Sequence, residues 1–167
     1  IICGSAPLQP RLATIFTNAG IPVLEGYGLT ECSPVVSVIP LEKKYFRAGC
    51  VGRTLPSLEV KIESDGEILV KGPSVMLGYY KDEQATKASI NEDNWLLTGD
   101  IGEFTNEGFL KITDRKKELF KTSGGKYVAP SPLENKLKES FFIENVAIIG
   151  DGEKYISAII QPNFEEL

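Results

Sequence analysis

The sequence predicts an α/β region that runs into antiparallel β structure and then into the start of a small α+β domain. Three observations predict it. Short apolar runs flank a segment of helical period near the N-terminus. Alternating apolar and polar runs then meet at Asp65-Gly66, the strongest short hairpin signal. A clearly started helix and two further strands close the chain. The expected limits are 1–48 for the end of a βαβ parallel-sheet subdomain, 49–116 for a small antiparallel, barrel-like β subdomain, and 117–167 for a hinge with the first part of a small C-terminal domain.

Ile1-Ile2-Cys3 reads as a strand that ends at the turn Gly4-Ser5-Ala6-Pro7. Leu8, Leu12, Ile15, Phe16 and Ala19 recur at helical spacing, and Gly20 is placed to cap the helix. Ile21 to Leu24 is the next expected strand, broken by Gly26-Tyr27-Gly28. Strand, helix and strand with short joints make a βαβ unit, and in parallel sheets ligands bind beyond the carboxyl ends of the strands. Gly28-Leu29-Thr30-Glu31 falls at such an end. Its glycine permits close backbone approach, and Thr30 and Glu31 offer oxygens suited to a hard cation and a phosphate. The other reading is a glycine-rich turn with Glu31 opening a helix.

Further along, 58–63 and 67–72 form the expected hairpin, 81–90 has weak helical character, and Trp95 to Phe104 reads as strand, sharp corner at Thr98-Gly99-Asp100, and strand. Asp114 to Pro130 packs five consecutive charged residues before a Thr122-Ser123-Gly124-Gly125 break, which suits either a charged turn or a junction between domains. Ser131, Pro132 and Glu134 predict a helix with Ser131 as N-cap, Pro132 in the first position and Glu134 completing a capping box. Leu133, Leu137 and Phe141 share one face of it. Two strands, 144–150 and 155–161, turn around Asp151-Gly152.

Composition narrows the chemistry. A net charge of -5 argues against a nucleic-acid partner. The 167 residues contain no histidine, which removes the Ser-His-Asp triad, histidine metal sites and a histidine base. Three widely spaced cysteines read as reduced, cytosolic thiols, small apolar residues more than ligands. No apolar run is long enough to cross a bilayer. The chain begins at Ile1 and reads as an excised piece of a longer protein.

In order, Gly4-Ser5-Ala6-Pro7, Tyr27-Gly28-Leu29-Thr30-Glu31, Gly66 to Pro73, Gly78-Tyr79-Tyr80, Thr98-Gly99-Asp100, Asp114-Arg115-Lys116-Lys117 and Gly124 to Pro130 resemble the adenylate-forming superfamily of acyl-CoA synthetases, luciferases and peptide-synthetase adenylation domains. Phe120 to Pro130 is most similar to bacterial long-chain fatty-acid–CoA ligases. The resemblance implies an AMP-forming acid–thiol ligase that adenylates a fatty acid with ATP and Mg²⁺ and then transfers the acyl group to CoA. It implies that Thr30 contacts a phosphate oxygen, Glu31 binds Mg²⁺, Tyr27 stacks near adenine, Gly4, Ser5 and Ala6 line adenine with backbone, and Asp100 accepts from ribose hydroxyls. Arg115 would assist at ribose or phosphate, Lys117 would be the hinge between half-reactions, and Gly124 and Gly125 would line the thiol tunnel.

Tyr79, Tyr80 and Trp95 are taken as packing residues, and Lys116, Lys121 and Lys126 as solvated charges. Leu97 and Glu83 depart from the family pattern, Glu83 standing where proline is usual. The family's phosphate loop, its adenylation lysine and most of its acyl pocket are expected outside this chain, so the chain alone is expected to be inactive. Two rivals stay open: an adenylation domain loading a carrier-protein thiol, and a non-catalytic nucleotide-binding relative. Acyl-chain length, oligomeric state and peripheral membrane contact are left open by the sequence.

Overall fold

The computed structural model describes residues 1–4 and 8–166, so Ser5 and Ala6 lie outside the described residues. Two compact units result, Ile1–Ile112 and Thr113–Leu167.

In the first unit, β1 (Ile2–Cys3) leads through α1 (Pro10–Asn18) to β2 (Leu24–Gly28). β1 and β2 pair in parallel, Ile2 opposite Leu24 and Cys3 opposite Glu25, which is the expected βαβ unit. Pro10 opens α1, as its fixed φ favours, and Gly20 takes φ +83 just beyond the end. The helical spacing matches the observed helix. Ala13 and Thr17 are buried, whereas Leu12, Ile15 and Phe16 are exposed among the described residues.

β2 begins three residues later than expected and runs straight through Gly26-Tyr27-Gly28. The glycines do not break the strand, because β3 (Val35–Val38) crosses beside them. A Cβ at Gly28 would stand 1.8 Å from the Pro34 carbonyl oxygen, and one at Gly26 3.2 Å from that of Ser37. Glycine here lets two backbones of the same chain approach. β4 (Arg53–Thr54) completes the sheet order β1-β2-β3-β4.

A second four-stranded sheet contains β5 (Glu59–Ile62), β6 (Glu67–Lys71), β7 (Leu96–Phe104) and β8 (Leu110–Arg115). The expected hairpin pairs Glu59 with Lys71 through Ile62 with Ile68, with Gly66 at φ +89 in its turn. Four consecutive residues of β6 are buried, so both its faces are covered and it is a central strand. α2 (Glu83–Ser89) starts at Asp82, whose side chain accepts from Ala85 N–H at 2.8 Å. Glu83 therefore occupies the first helical position, where proline is also favoured. The two sheets meet where Gly52 bridges Leu110. Their shared core gathers Tyr27, Cys32, Val36, Leu58, Ile68, Val70, Leu96 and Leu110, so residues on both sides of position 48 build one core.

The second unit pairs β9 (Phe120–Lys121) with β10 (Tyr127–Val128), and β11 (Ile143–Ile149) with β12 (Ser157–Pro162), with α3 (Pro130–Leu137) between the hairpins. The expected capping box does not form. Pro130 starts α3 two residues early, with Ala129 as an N-cap lacking a side-chain bond. Asp114, only 5% exposed, takes the capping role from a distance. Its carboxylate accepts from Ser131 N–H at 3.3 Å and Ser131 Oγ at 3.1 Å. Glu134 instead accepts from Ile148 N–H at 2.8 Å, fastening α3 to β11.

Candidate nucleotide site

The site is built on the carboxyl end of β2. After Gly28 the chain closes into one 3₁₀ turn, Thr30–Cys32, with Ser33 in the left-handed region at its end. Cys32 is fully buried and anchors the turn in the core. Burial raises its thiol to about 11, so it is a packing group. Anchoring Cys32 leaves Thr30 exposed and Glu31 half-buried, pointing oxygens outward from a short, fixed turn.

Tyr79 Oη donates to Glu31 Oε1 at 2.8 Å, and this carboxylate contact raises the tyrosine pKa. Met76 N–H donates to the Glu31 carbonyl at 2.8 Å. Tyr79, taken as a packing residue from its sequence, is thus a polar partner of the principal carboxylate. The signal for it was its place in Gly78-Tyr79-Tyr80, since a tyrosine in an exposed loop needs a use for its hydroxyl.

The second carboxylate, Asp100, comes from β7. Thr98-Gly99-Asp100 is a bulge within a continuous strand, where a corner between two strands was expected. Glu67 pairs with Ile101 and Leu69 with Leu97, so between these pairs one residue of β6, Ile68, stands opposite three of β7. Side chains recover the hydrogen bonds that this shift costs the ladder. Thr98 Oγ1 donates to the Ile68 carbonyl at 2.7 Å and accepts from Asp100 N–H at 3.1 Å. Gly99 takes φ +73, and its N–H donates to Glu67 Oε1 at 2.9 Å. Threonine bridges, glycine turns, and aspartate is presented.

Glu67 is only 4% exposed, a carboxylate buried for this purpose. Its place in Gly66 to Pro73 assigns it no role from the sequence. Its signal was an acid opening a strand that is otherwise apolar.

Tyr27 Oη donates to Asp100 Oδ2 at 2.6 Å, joining positions 73 residues apart. Its ring is only 9% exposed and sits in the core, and burial first, then Asp100, pushes its pKa well above the ordinary range. Tyr27 was expected to stack near adenine. What the structure gives it is a core ring and a hydroxyl that orients Asp100, because the alternation of β2 turns its side chain inward.

Gly4 ends β1 with ordinary room around it, a Cβ meeting Gly26 O at 3.7 Å. The remaining candidates belong to the second unit. Arg115 ends β8, and Lys117 lies in the hydrogen-bonded turn that follows, where Glu118 N–H and Leu119 N–H both donate to the Arg115 carbonyl. The local geometry of the charged cluster is therefore a turn. Gly124 and Gly125 form the loop of the β9–β10 hairpin, Gly125 at φ +81, with Thr122 N–H donating to Lys126 O at 3.0 Å. Ser123 N–H donates to Glu153 O, and Gly152 N–H to Lys121 O, which dock this hairpin on the turn between β11 and β12.

The first unit thus offers a glycine-containing strand end, a hydroxyl and two carboxylates, each bound by a tyrosine hydroxyl. Comparison with known proteins shows what the chain is similar to. The profile described as AMP-binding enzyme matches residues 1–80. Long-chain-fatty-acid–CoA ligase FadD15 of Mycobacterium bovis is 41% identical over 159 residues, 95% of this chain and 26% of that protein. Long-chain-fatty-acid–CoA ligase 6 of Rattus norvegicus is 39% identical over 178 residues, 99% of this chain and 25% of that protein. O-succinylbenzoate CoA synthetase of Bacillus subtilis, solved with its acyl-adenylate intermediate, superposes with a TM-score of 0.87 at 32% identity, covering 98% of this chain and 36% of that one. Residues 1–80 match the AMP-binding enzyme family, and nearly the whole chain is similar to long-chain-fatty-acid–CoA ligases. It spans about a quarter of the length of the curated relatives it matches.

Proposed function

We propose that this chain is part of an ATP- and Mg²⁺-dependent long-chain fatty-acid–CoA ligase, called the parent enzyme below. In the proposed reaction the fatty carboxylate attacks the α-phosphorus of ATP and expels pyrophosphate. The CoA thiol then attacks the acyl carbon and releases AMP. The observation that carries this reading is the two oriented acids, Glu31 on Tyr79 after β2 and Asp100 on Tyr27 from β7, in a chain whose relatives are named for this activity.

The residues suit Mg²⁺. Glu31 keeps one oxygen, Oε2, without a hydrogen bond among the described residues, and the Thr30 side chain is exposed. One carboxylate and a hydroxyl beside substrate phosphates is how Mg²⁺ is commonly held. Bound there, the ion would neutralise charge on the phosphates. Asp100, with Oδ2 already fixed by Tyr27, suits the two neighbouring hydroxyls of a ribose, which an ionised carboxylate accepts from strongly.

Arg115 is assigned to the ribose or phosphate, Lys117 to the pivot between half-reactions, and Gly124 and Gly125 to the path of the thiol. A turn supports the pivot role, since few backbone hydrogen bonds restrain its central residues. Among the described residues no helix is long and apolar enough to cross a membrane.

The test is to supply the parent enzyme with ATP, Mg²⁺, fatty acids of graded length and either CoA or a phosphopantetheinyl carrier protein. Acyl-CoA and AMP should form with long-chain acids. Acyl transfer only to the carrier, or absence of acid-dependent pyrophosphate exchange, would overturn the proposal.

A further inference from the structure

Glu31 is held by one short segment at two points, its carbonyl by Met76 N–H and its Oε1 by Tyr79 Oη, each at 2.8 Å. That segment is in turn fixed to α2. Tyr79 N–H donates to Thr86 Oγ1 at 2.9 Å, and Thr86 Oγ1 donates to the Asp82 carbonyl at 2.7 Å. Gly78 makes the close approach possible: at φ +146, a Cβ there would stand 2.8 Å from Thr86 Cγ2.

The Tyr79 residue is 40% exposed, so hydrophobic burial is a small part of what its side chain does. The fixed object is the hydroxyl, tied through the Tyr79 backbone N–H to a helix and aimed at a single carboxylate oxygen. With Oε1 occupied, Oε2 is the oxygen left to meet a cation. We infer that Tyr79 is a positioning residue that selects Glu31 Oε2 as the single cation-ligating oxygen, with α2 as its mount. This deepens the proposed function and rests on Glu31 being the cation carboxylate. An exposed carboxylate without such a partner samples several rotamers, and fixing it at the moment of binding weakens ligation.

The experiment measures Mn²⁺ binding to the parent enzyme in complex with a non-hydrolysable ATP analogue, by electron paramagnetic resonance, beside the Mg²⁺ dependence of pyrophosphate exchange. Tyr79→Phe should weaken Mn²⁺ binding about three- to tenfold, the scale of one ordinary net hydrogen bond. It should raise the Mg²⁺ requirement in parallel and leave the KM for the fatty acid unchanged. Tyr80→Phe, at an exposed ring next door, should change neither. Thr86→Val, which keeps the phenol and removes its mount, should fall between Tyr79→Phe and the unaltered enzyme.

Mn²⁺ binding by Tyr79→Phe within twofold of the unaltered enzyme, while Glu31→Gln abolishes it, would refute the positioning role and leave Glu31 in place. Unchanged Mn²⁺ binding in Glu31→Gln would overturn the reading of Glu31 itself, and the role of Tyr79 with it.

Discussion

Thr98 is the residue whose removal tests the bulge most directly. Its hydroxyl makes two hydrogen bonds, to the Ile68 carbonyl at 2.7 Å and from Asp100 N–H at 3.1 Å, both partly buried. Thr98→Val keeps shape and volume and deletes both. Each is worth about 1 kcal/mol net, and the half-buried backbone groups left behind add a part of their desolvation penalty, for a total of about 2–3 kcal/mol. With a urea dependence of about 2 kcal/mol per molar, the unfolding midpoint should fall by roughly 1–1.5 M. The chain has a single tryptophan, Trp95, immediately before β7, so its fluorescence reports on this unit. Thr98→Ser keeps the hydroxyl and should lose less than half as much. A midpoint change below about 0.25 M for Thr98→Val would refute the bridging role, since that is within the range of neutral surface substitutions. Equal losses for serine and valine would trace the effect to the lost methyl contact or rotamer and also refute it.

Two further outcomes follow from the same geometry. Asp114→Ala strips the N-terminus of α3 of its acceptor and also frees Arg115 N–H, which donates to Asp114 Oδ1 at 2.7 Å; a loss of about 1–3 kcal/mol is expected in the second unit, read by amide exchange in α3 and β11. Glu25 is 6% exposed with Oε1 unpartnered, and burial raises its pKa from 4.5, offset in part by a hydrogen bond from the Gly49 backbone. The folded state then holds its proton more tightly than the unfolded one, so the stability contribution is complete below about pH 4.5 and is lost as pH rises through the folded value. Glu25→Gln should accordingly gain stability over the unaltered protein at pH 7 and gain little at pH 4; an equal difference at both pH values would refute this.

Local chemistry was the legible part of the fold. Asp65-Gly66 needed only its own turn preference, and β1 and α1 only their periods, and these elements formed as expected. Errors arose where a distant residue decided the outcome. Nothing local in Gly26-Tyr27-Gly28 says that Pro34 and Ser37 press against those glycines, so a strand was read as a break. Nothing in Ser131 to Glu134 says that Asp114, in an earlier strand, already occupies the helix end, so a capping box was read where a tertiary cap exists.

The site divides in the same way. Glu31, Asp100 and Thr98 could be named from the sequence because their order is a motif. The residues that aim them could not, because aiming is done across the fold: Tyr27 reaches 73 residues to Asp100, Tyr79 reaches 48 to Glu31, and Glu67 reaches 32 to Gly99. Each of the three lies inside a quoted motif, yet the motif gave no hint that its work is done on another one. An acid proposed to face the ligand is therefore visible from its neighbours in sequence, whereas the group that fixes its rotamer is visible only from its neighbours in space. For this reason the tyrosine hydroxyls, and not the carboxylates alone, are where substitutions will separate binding geometry from mere presence of charge.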